Sequence, residues 1–435
     1  MTTMIKADSA LSQQVHDFVR RDFSPHYGQL QTAFASDPLW RQFRDIGTEL
    51  WLDSGDIADI EQTWTREFSA VTTNNTLLNK EVRTGTYDEL IVEAADLLWS
   101  FPDLSEREFR LEMAFILNAR HALRLVERFD AHVSVEEHTD LAHDVERAVE
   151  YARRYHAICP ERFYVKIPFT PAGLLATRRA RNEGIPINHT LGFSARQNYV
   201  IARVARPNFV NVFLGRLNTF LADNKLGSGD YVGEKATLAS QQAVRSLRRG
   251  RGLETRQIAA SLRSWEQFVR LAGVDVITAP PKTARELQHK SGELPPIESR
   301  LGQNYAPGIQ DGVDPERIRL ETLWHVGNEV VDCVDALERE DIDSLAPEGL
   351  VDFFEAHGCS DLLVRWSNSQ IATSAEEGKI PQLGHWADAL AHKSIGLDSL
   401  MNLAGFNSFA TDQKEMDSHV IEVLERTGSG RHVSQ

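Results

Sequence analysis

One lysine, Lys166, sits inside the apolar run Phe163-Tyr164-Val165-Lys166-Ile167-Pro168-Phe169. An ammonium there must find an anion, reach solvent or give up its proton, and the last option makes it a nucleophile able to form a Schiff base with a carbonyl compound. A strand-end lysine that snorkels to water is the competing reading. Strand side chains alternate between faces, so the companions of an inward Lys166 can be read by parity. Val165 and Ile167 then face outward, as do Val133 and Val135 beside inward Ser134 and Glu136. Asn188 and Thr190 oppose Ile187, His189 and Leu191, while Trp51 and Asp53 oppose Leu52. Thr72 and Asn74 oppose Val71, Asn211 and Phe213 oppose Val210 and Val212, and Ser261 and Arg263 oppose Leu262. Asp53, Asn74, Glu136, Lys166, Asn188, Thr190, Ser261 and Arg263 are therefore expected around one cavity, provided no bulge shifts a strand. An amine beside two carboxylates suits covalent and acid–base chemistry on a carbonyl compound.

Positioning these residues requires short strands alternating with helices. Eight candidate strands are read at Glu49–Asp53, Val71–Asn74, His132–Glu136, Phe163–Phe169, Ile187–Leu191, Phe209–Leu214, Ile258–Arg263 and Val274–Thr278. Helical periodicity lies between them, as at Leu141–His156 and at Pro171–Asn182, which opens after Thr170 with proline in its first turn. Eight such units predict an α/β fold, a (β/α)8 TIM barrel whose active site lies at the carboxyl ends of the strands. An open doubly wound sheet is disfavoured because the first strand-to-helix turn has no glycine-rich dinucleotide fingerprint. Residues 1–46 read as an N-terminal helical extension and 47–282 as the catalytic barrel. Residues 283–426 read as additional C-terminal helices packed on the barrel, around Leu320–Leu337, Pro347–His357 and Met416–Arg426, and 427–435 as a disordered tail.

Composition sets the outer limits. The chain has 435 residues, 42% of them hydrophobic, enough for one large barrel with additions. A formal charge of −16 argues against nucleic acid or an anionic membrane as partner, while leaving room for a local phosphate pocket. Cys159, Cys333 and Cys359 are widely spaced and suggest neither disulfides nor a metal site, which points to the cytoplasm. The N-terminus has no export signature, and no apolar run is long enough to span a membrane. His189 and the basic run Arg245, Arg248, Arg249 and Arg251 are expected to be structural, and Trp324, Trp366 and Trp386 to anchor packing.

The ordered motifs Leu52-Asp53-Ser54-Gly55-Asp56-Ile57, Thr72-Thr73-Asn74, Val133-Ser134-Val135-Glu136, Val165-Lys166-Ile167-Pro168 and Ile187-Asn188-His189-Thr190-Leu191 resemble the transaldolase family. The likeness continues through Phe213-Leu214-Gly215-Arg216, Ala260-Ser261-Leu262-Arg263 and Leu271-Ala272-Gly273-Val274-Asp275. The resemblance implies Lys166 as the Schiff-base lysine, Asp53 as general acid/base, and Glu136 with Thr190 as holders of a catalytic water. It also implies Asn74, Asn188 and Asn211 near the substrate's hydroxyl groups, and Arg216, Ser261 and Arg263 at its phosphate. Phe213 stands where the family has phenylalanine and related aldolases have tyrosine, which favours transfer over cleavage. The implied reaction moves a dihydroxyacetone unit between sugar phosphates, with no cofactor and no metal; a homodimer is admitted. Asn75 replaces a usual proline, Asn211 a common serine and His189 a usual aliphatic residue. These departures leave open a relative specialised for an unusual sugar, and a non-catalytic sugar-phosphate-binding barrel is the third reading.

Overall fold

Eight extended segments with apolar outer faces close into one parallel barrel. The computed structural model describes residues 9–30 and 33–428, so parts of the expected N-terminal extension (1–8, 31–32) and of the tail (429–435) lie outside the described residues. The strands are β1 Glu49–Asp53, β2 Phe68–Thr72, β3 His132–Glu136, β4 Phe163–Pro168, β5 Ile187–Thr190, β6 Phe209–Phe213, β7 Arg256–Ala260 and β8 Val276–Ala279. They pair in chain order and β8 returns to β1, giving the expected (β/α)8 barrel. Outward Leu52, Val133, Val135, Val165, Ile167, Val210 and Val212 are buried under the surrounding helices.

Inside the barrel, Trp51, Ala70, Phe209, Ile258, Ala260 and Val276 pack with Tyr164 and Phe213. Trp51 and Tyr164 stack at 5.8 Å, and Phe209 meets both edge-on at 4.8 and 5.0 Å. Below them Arg256 donates to Glu49 at 2.5 Å and the Trp51 indole donates to the same carboxylate at 2.9 Å. The lumen is thereby filled at its amino end, and a cavity opens at the carboxyl end.

β4, β5 and β6 each end one residue before the sequence reading, and three other strands differ by more. β2 starts at Phe68 and ends at Thr72, so Asn74 is the N-cap of the helix Asn75–Val82, its Oδ1 accepting from the Leu77 N–H at 2.8 Å. β7 begins two residues early and ends at Ala260, because Ser261 turns to φ +66° and stops the ladder. Its inward residues are Ile258 and Ala260, so the parity that put Ser261 and Arg263 inward on this strand fails, and both reach the cavity from the turn after it. β8 is displaced to Val276–Ala279. The one register irregularity on β1 lies between Leu50 and Trp51, before the functional end, and leaves the parity of Trp51 and Asp53 intact.

Helix Pro171–Asn182 appears as read, with the Thr170 hydroxyl accepting from the Gly173 N–H at 2.8 Å. The span Leu141–His156 divides into a 3-10 turn, Thr139–Leu141, and a helix Val145–Ile158 capped by Asp144. Leu320–Leu337 likewise divides into Leu320–Leu323 and Asn328–Leu337. The helix read at Met416–Arg426 is the end of a much longer one, Leu397–Arg426.

This C-terminal helix is pinned across the barrel mouth by polar contacts to successive strand-end loops. Asn402 donates to the carbonyls of Phe169 and Leu191 at 3.1 and 3.0 Å. Asp398 accepts from Ser194 at 2.7 Å and from Arg196 at 2.7 and 2.8 Å, Asp417 meets His138 at 3.2 Å, and Asp412 accepts from Thr76. Among the described residues no helix is long and apolar enough to cross a membrane.

Candidate active site

Register decides which polar residues meet. Glu136 on β3, Lys166 on β4 and Asn188 on β5 are cross-strand partners on one rung, and Asp53 on β1 pairs with Thr72 on β2. Above them lies a cavity of about 220 Å³. Asp53, Asn74, Lys166, Asn188, Asn211, Phe213, Arg216, Ser261 and Arg263, all read from the sequence, line it. Glu136 and Thr190 are buried beside it, 3% and 0% exposed.

The Lys166 ammonium, 3% exposed, donates to the Thr73 carbonyl at 3.1 Å and lies 3.7 Å from Oε1 of Glu136. The latter is an ion-pair separation, too long for a hydrogen bond. Phe409 of the C-terminal helix covers the amine, its ring centroid 5.6 Å away, while Tyr164 lies one layer down in the aromatic floor. Snorkelling to solvent is thus not what this lysine does.

Two acids flank the amine in different settings. Asp53 is pushed above the usual carboxylate range by burial, against the Thr72 hydroxyl, which donates to it at 2.7 Å, and the charge of Lys166. Thr72 is itself held by Thr278 at 2.8 Å. Burial also raises Glu136, against the pull of Lys166 and of the Asn75 N–H, which donates to Oε2 at 3.0 Å. Both groups are therefore poised to exchange protons nearer neutrality than free carboxylates.

An amide relay forms the adjoining wall. Asn188 donates to Ser134 at 3.0 Å and Asn211 donates to Asn188 at 3.3 Å. The Asn211 Oδ1 and Thr190 Oγ1 have no hydrogen-bond partner among the described residues, leaving acceptor and hydroxyl capacity for a ligand or water.

The opposite end is cationic. Arg216, 8% exposed, lies over the Phe213 and Phe409 rings at 5.6 and 5.5 Å, and its Nη1 has no partner among the described residues. Burial and the neighbouring Arg263 hold its guanidinium down at about 10. A buried guanidinium with an open donor, set beside a second one, has the chemistry to accept an oxyanion. Lys80 and Lys379 also line the cavity.

His189 donates to or accepts from Thr177 at 2.8 Å on the outer face, and burial lowers it to about 3, so it is a neutral structural residue. In the basic run, Arg248 pairs with Asp275 at 2.5 Å and Arg251 with Asp335 and Glu338 at 3.2 Å. Trp366 and Trp386 meet edge-on at 6.1 Å. Among the described residues no cluster of His, Cys, Asp and Glu could hold a metal ion.

Sequence reasoning passed over Thr72, Thr278, Lys80 and Lys379 as site residues. Thr72 shares the parity of Asn74 and was within reach of that reading, and so was Thr278 had parity been carried to β8. Lys379 enters from a distant helix connection and has no local signal.

The chain matches the family model described as transaldolase/fructose-6-phosphate aldolase over residues 50–348. It is 30% identical over 233 residues to a transaldolase of Xanthomonas euvesicatoria, covering 52% of this chain and 71% of that protein. It is 30% identical over 281 residues to a transaldolase of Xanthomonas campestris, covering 62% and 84%. A transaldolase of Chlamydia pneumoniae is 29% identical over 262 residues, covering 57% and 77%.

Proposed function

This chain belongs to the transaldolase/fructose-6-phosphate aldolase family, and from that premise we propose that it transfers a dihydroxyacetone unit from a ketose phosphate to an aldose phosphate through a Schiff base on Lys166. The observation that carries this reading is the buried amine on one rung with Glu136 and Asn188, facing a cavity whose far wall holds Arg216 and Arg263. Uncharged amine on Lys166 attacks the donor's carbonyl carbon, and loss of water leaves an iminium. Ionised Asp53 accepts the C4 hydroxyl proton, the C3–C4 bond breaks, and its electron pair flows into the iminium to give an enamine. The aldose leaves; the three-carbon enamine adds to the next aldehyde, and hydrolysis frees the new ketose. Glu136 and Thr190 hold the water through which protons pass between Asp53 and the imine nitrogen, help typically worth about 100- to 10,000-fold. Asn74, Asn188 and Asn211 bind hydroxyl groups, and Arg216, Ser261 and Arg263 bind the phosphate. Phe213 and Phe409 keep bulk water from the intermediate, which favours transfer over release.

The natural pair on this reading is sedoheptulose 7-phosphate with glyceraldehyde 3-phosphate, as in pentose phosphate metabolism. Incubation with fructose 6-phosphate and borohydride, followed by mass spectrometric mapping, tests it. A reduced three-carbon adduct on Lys166 is expected; an adduct on another lysine, or none, overturns the assignment. Rapid multiple-turnover release of free dihydroxyacetone without an acceptor would contradict transfer.

A further inference from the structure

Asn75 is wholly buried at the first position of the helix Asn75–Val82. Its backbone N–H donates to Oε2 of Glu136 at 3.0 Å, while Oε1 of that carboxylate faces Lys166 at 3.7 Å. Its side-chain amide donates to the Glu137 carbonyl at 3.3 Å, and Asn118 reaches its Oδ1 at 3.5 Å from the helix Glu106–Phe129. A first-turn N–H has no acceptor within its own helix, so this donor is free to serve a carboxylate.

We propose that Asn75 is the positioning residue for Glu136: its N–H fixes one carboxylate oxygen, so that the other is presented to Lys166 and to the proton-relaying water. The consequence for turnover rests on the Schiff-base reading, whereas the effect on Glu136 itself does not. A hydrogen bond to the ionised form favours that form, so the contact opposes the upward push of burial and keeps Glu136 available as an anion. The other groups facing Glu136 are Lys166, Arg216, Asp412 on the C-terminal helix, Glu137 beside it, and Tyr155, whose hydroxyl lies 3.5 Å from its carbonyl. The bond from the Asn75 amide to the Glu137 carbonyl is lost in Asn75→Pro and Asn75→Ala alike and so cancels between them.

Asn75→Pro and Asn75→Ala separate the backbone donor from the side chain, since both delete the amide and only proline deletes the N–H. Proline suits a first helical position, and Asn74 at φ −156°, ψ 170° is already extended, as the residue before proline must be. Infrared titration of the Glu136 carboxyl in the full-length protein, assigned by difference against Glu136→Gln, reads the result without substrate. The protonation midpoint in Asn75→Pro should lie about one unit above that of Asn75→Ala. Equal midpoints in the two variants would overturn the proposal, as would an Asn75→Ala shift as large as that of proline. If proline disturbs the helix start, an amide-to-ester exchange at position 75 removes the same N–H and must give the same upward midpoint. Absence of a Lys166 adduct in the unaltered protein would remove the catalytic reading, while the carboxyl titration still decides the role of Asn75.

Discussion

Gly215→Ala should disable phosphate recognition without touching the amine. Gly215 is the second residue of the helix Leu214–Asp223, directly after β6. A Cβ there would sit 2.2 Å from the Ser261 carbonyl oxygen, 2.7 Å from Cγ of Arg263 and 3.0 Å from its Nε. Carbon and carbonyl oxygen approach no closer than about 3.3 Å, so the segment after β7 must retreat by roughly 1 Å. It has little freedom to do so. Ser261 already occupies the left-handed region at φ +66°, Leu262 is 1% exposed, and the N–H groups of Arg263 and Ser264 are both held by Gln267, at 2.7 and 3.3 Å. Overpacking of this kind costs about 1–3 kcal/mol, and a misplacement of about 1 Å can cost on the order of 100-fold in rate. The expected result is a fall of about 30- to 100-fold in kcat/KM for fructose 6-phosphate, with less than about a threefold change for unphosphorylated fructose or dihydroxyacetone. Lys166, Asp53 and Glu136 stand on other strands, so borohydride trapping of dihydroxyacetone on Lys166 should persist. Unaltered kinetics with the phosphorylated donor in a folded variant, or equal losses for both substrate classes, would refute the reasoning.

Thr72→Val removes the hydroxyl that donates to Asp53 at 2.7 Å, the main influence opposing its burial. On the proposed mechanism Asp53 acts ionised, so the acidic limb of the kcat profile should move to higher pH by about one unit; an unmoved limb would show that Asp53 does not set it. Phe409→Ala uncovers Lys166 and Arg216, which lie 5.6 and 5.5 Å from the ring. Release of free dihydroxyacetone should rise relative to transfer, by about two- to tenfold for a contact of about 0.5–1.5 kcal/mol, and an unchanged ratio measured with and without acceptor would contradict a shielding role. Glu137 is buried with neither carboxyl oxygen partnered among the described residues, and burial raises it well above the usual range. A carboxyl raised in the folded state stabilises the fold below its unfolded value and loses that contribution as pH rises through the folded one. Glu137→Leu should therefore raise Tm near pH 8 and not near about pH 4, whereas equal shifts at both would exclude ionisation as the cause.

Much of this protein is written locally in its sequence. Alternation along an extended chain is a two-residue pattern, so outward Val165 and Ile167 and inward Lys166 can be read without knowing what surrounds them, and five neighbouring strands repeat the logic. Caps are equally local: Thr170 before Pro171 marks a helix start that the structure reproduces. Boundaries fail where the controlling cause is not local. Ser261 leaves the strand through a left-handed turn that hydrophobic patterning does not register, and Leu397–Arg426 hides its first half because apolar residues on several sides blur the one-face period.

The sequence by itself determined the eight units and, through parity, chain order and the family resemblance together, most of the polar side chains that line the cavity. Only the tertiary structure decided that Phe409 closes over the amine, that a helix N–H at Asn75 holds Glu136, and that Gly215 must lack a side chain for Ser261 to approach. Each of these joins residues far apart in the chain through packing distances of a few ångströms, a relation for which no periodicity exists to be read.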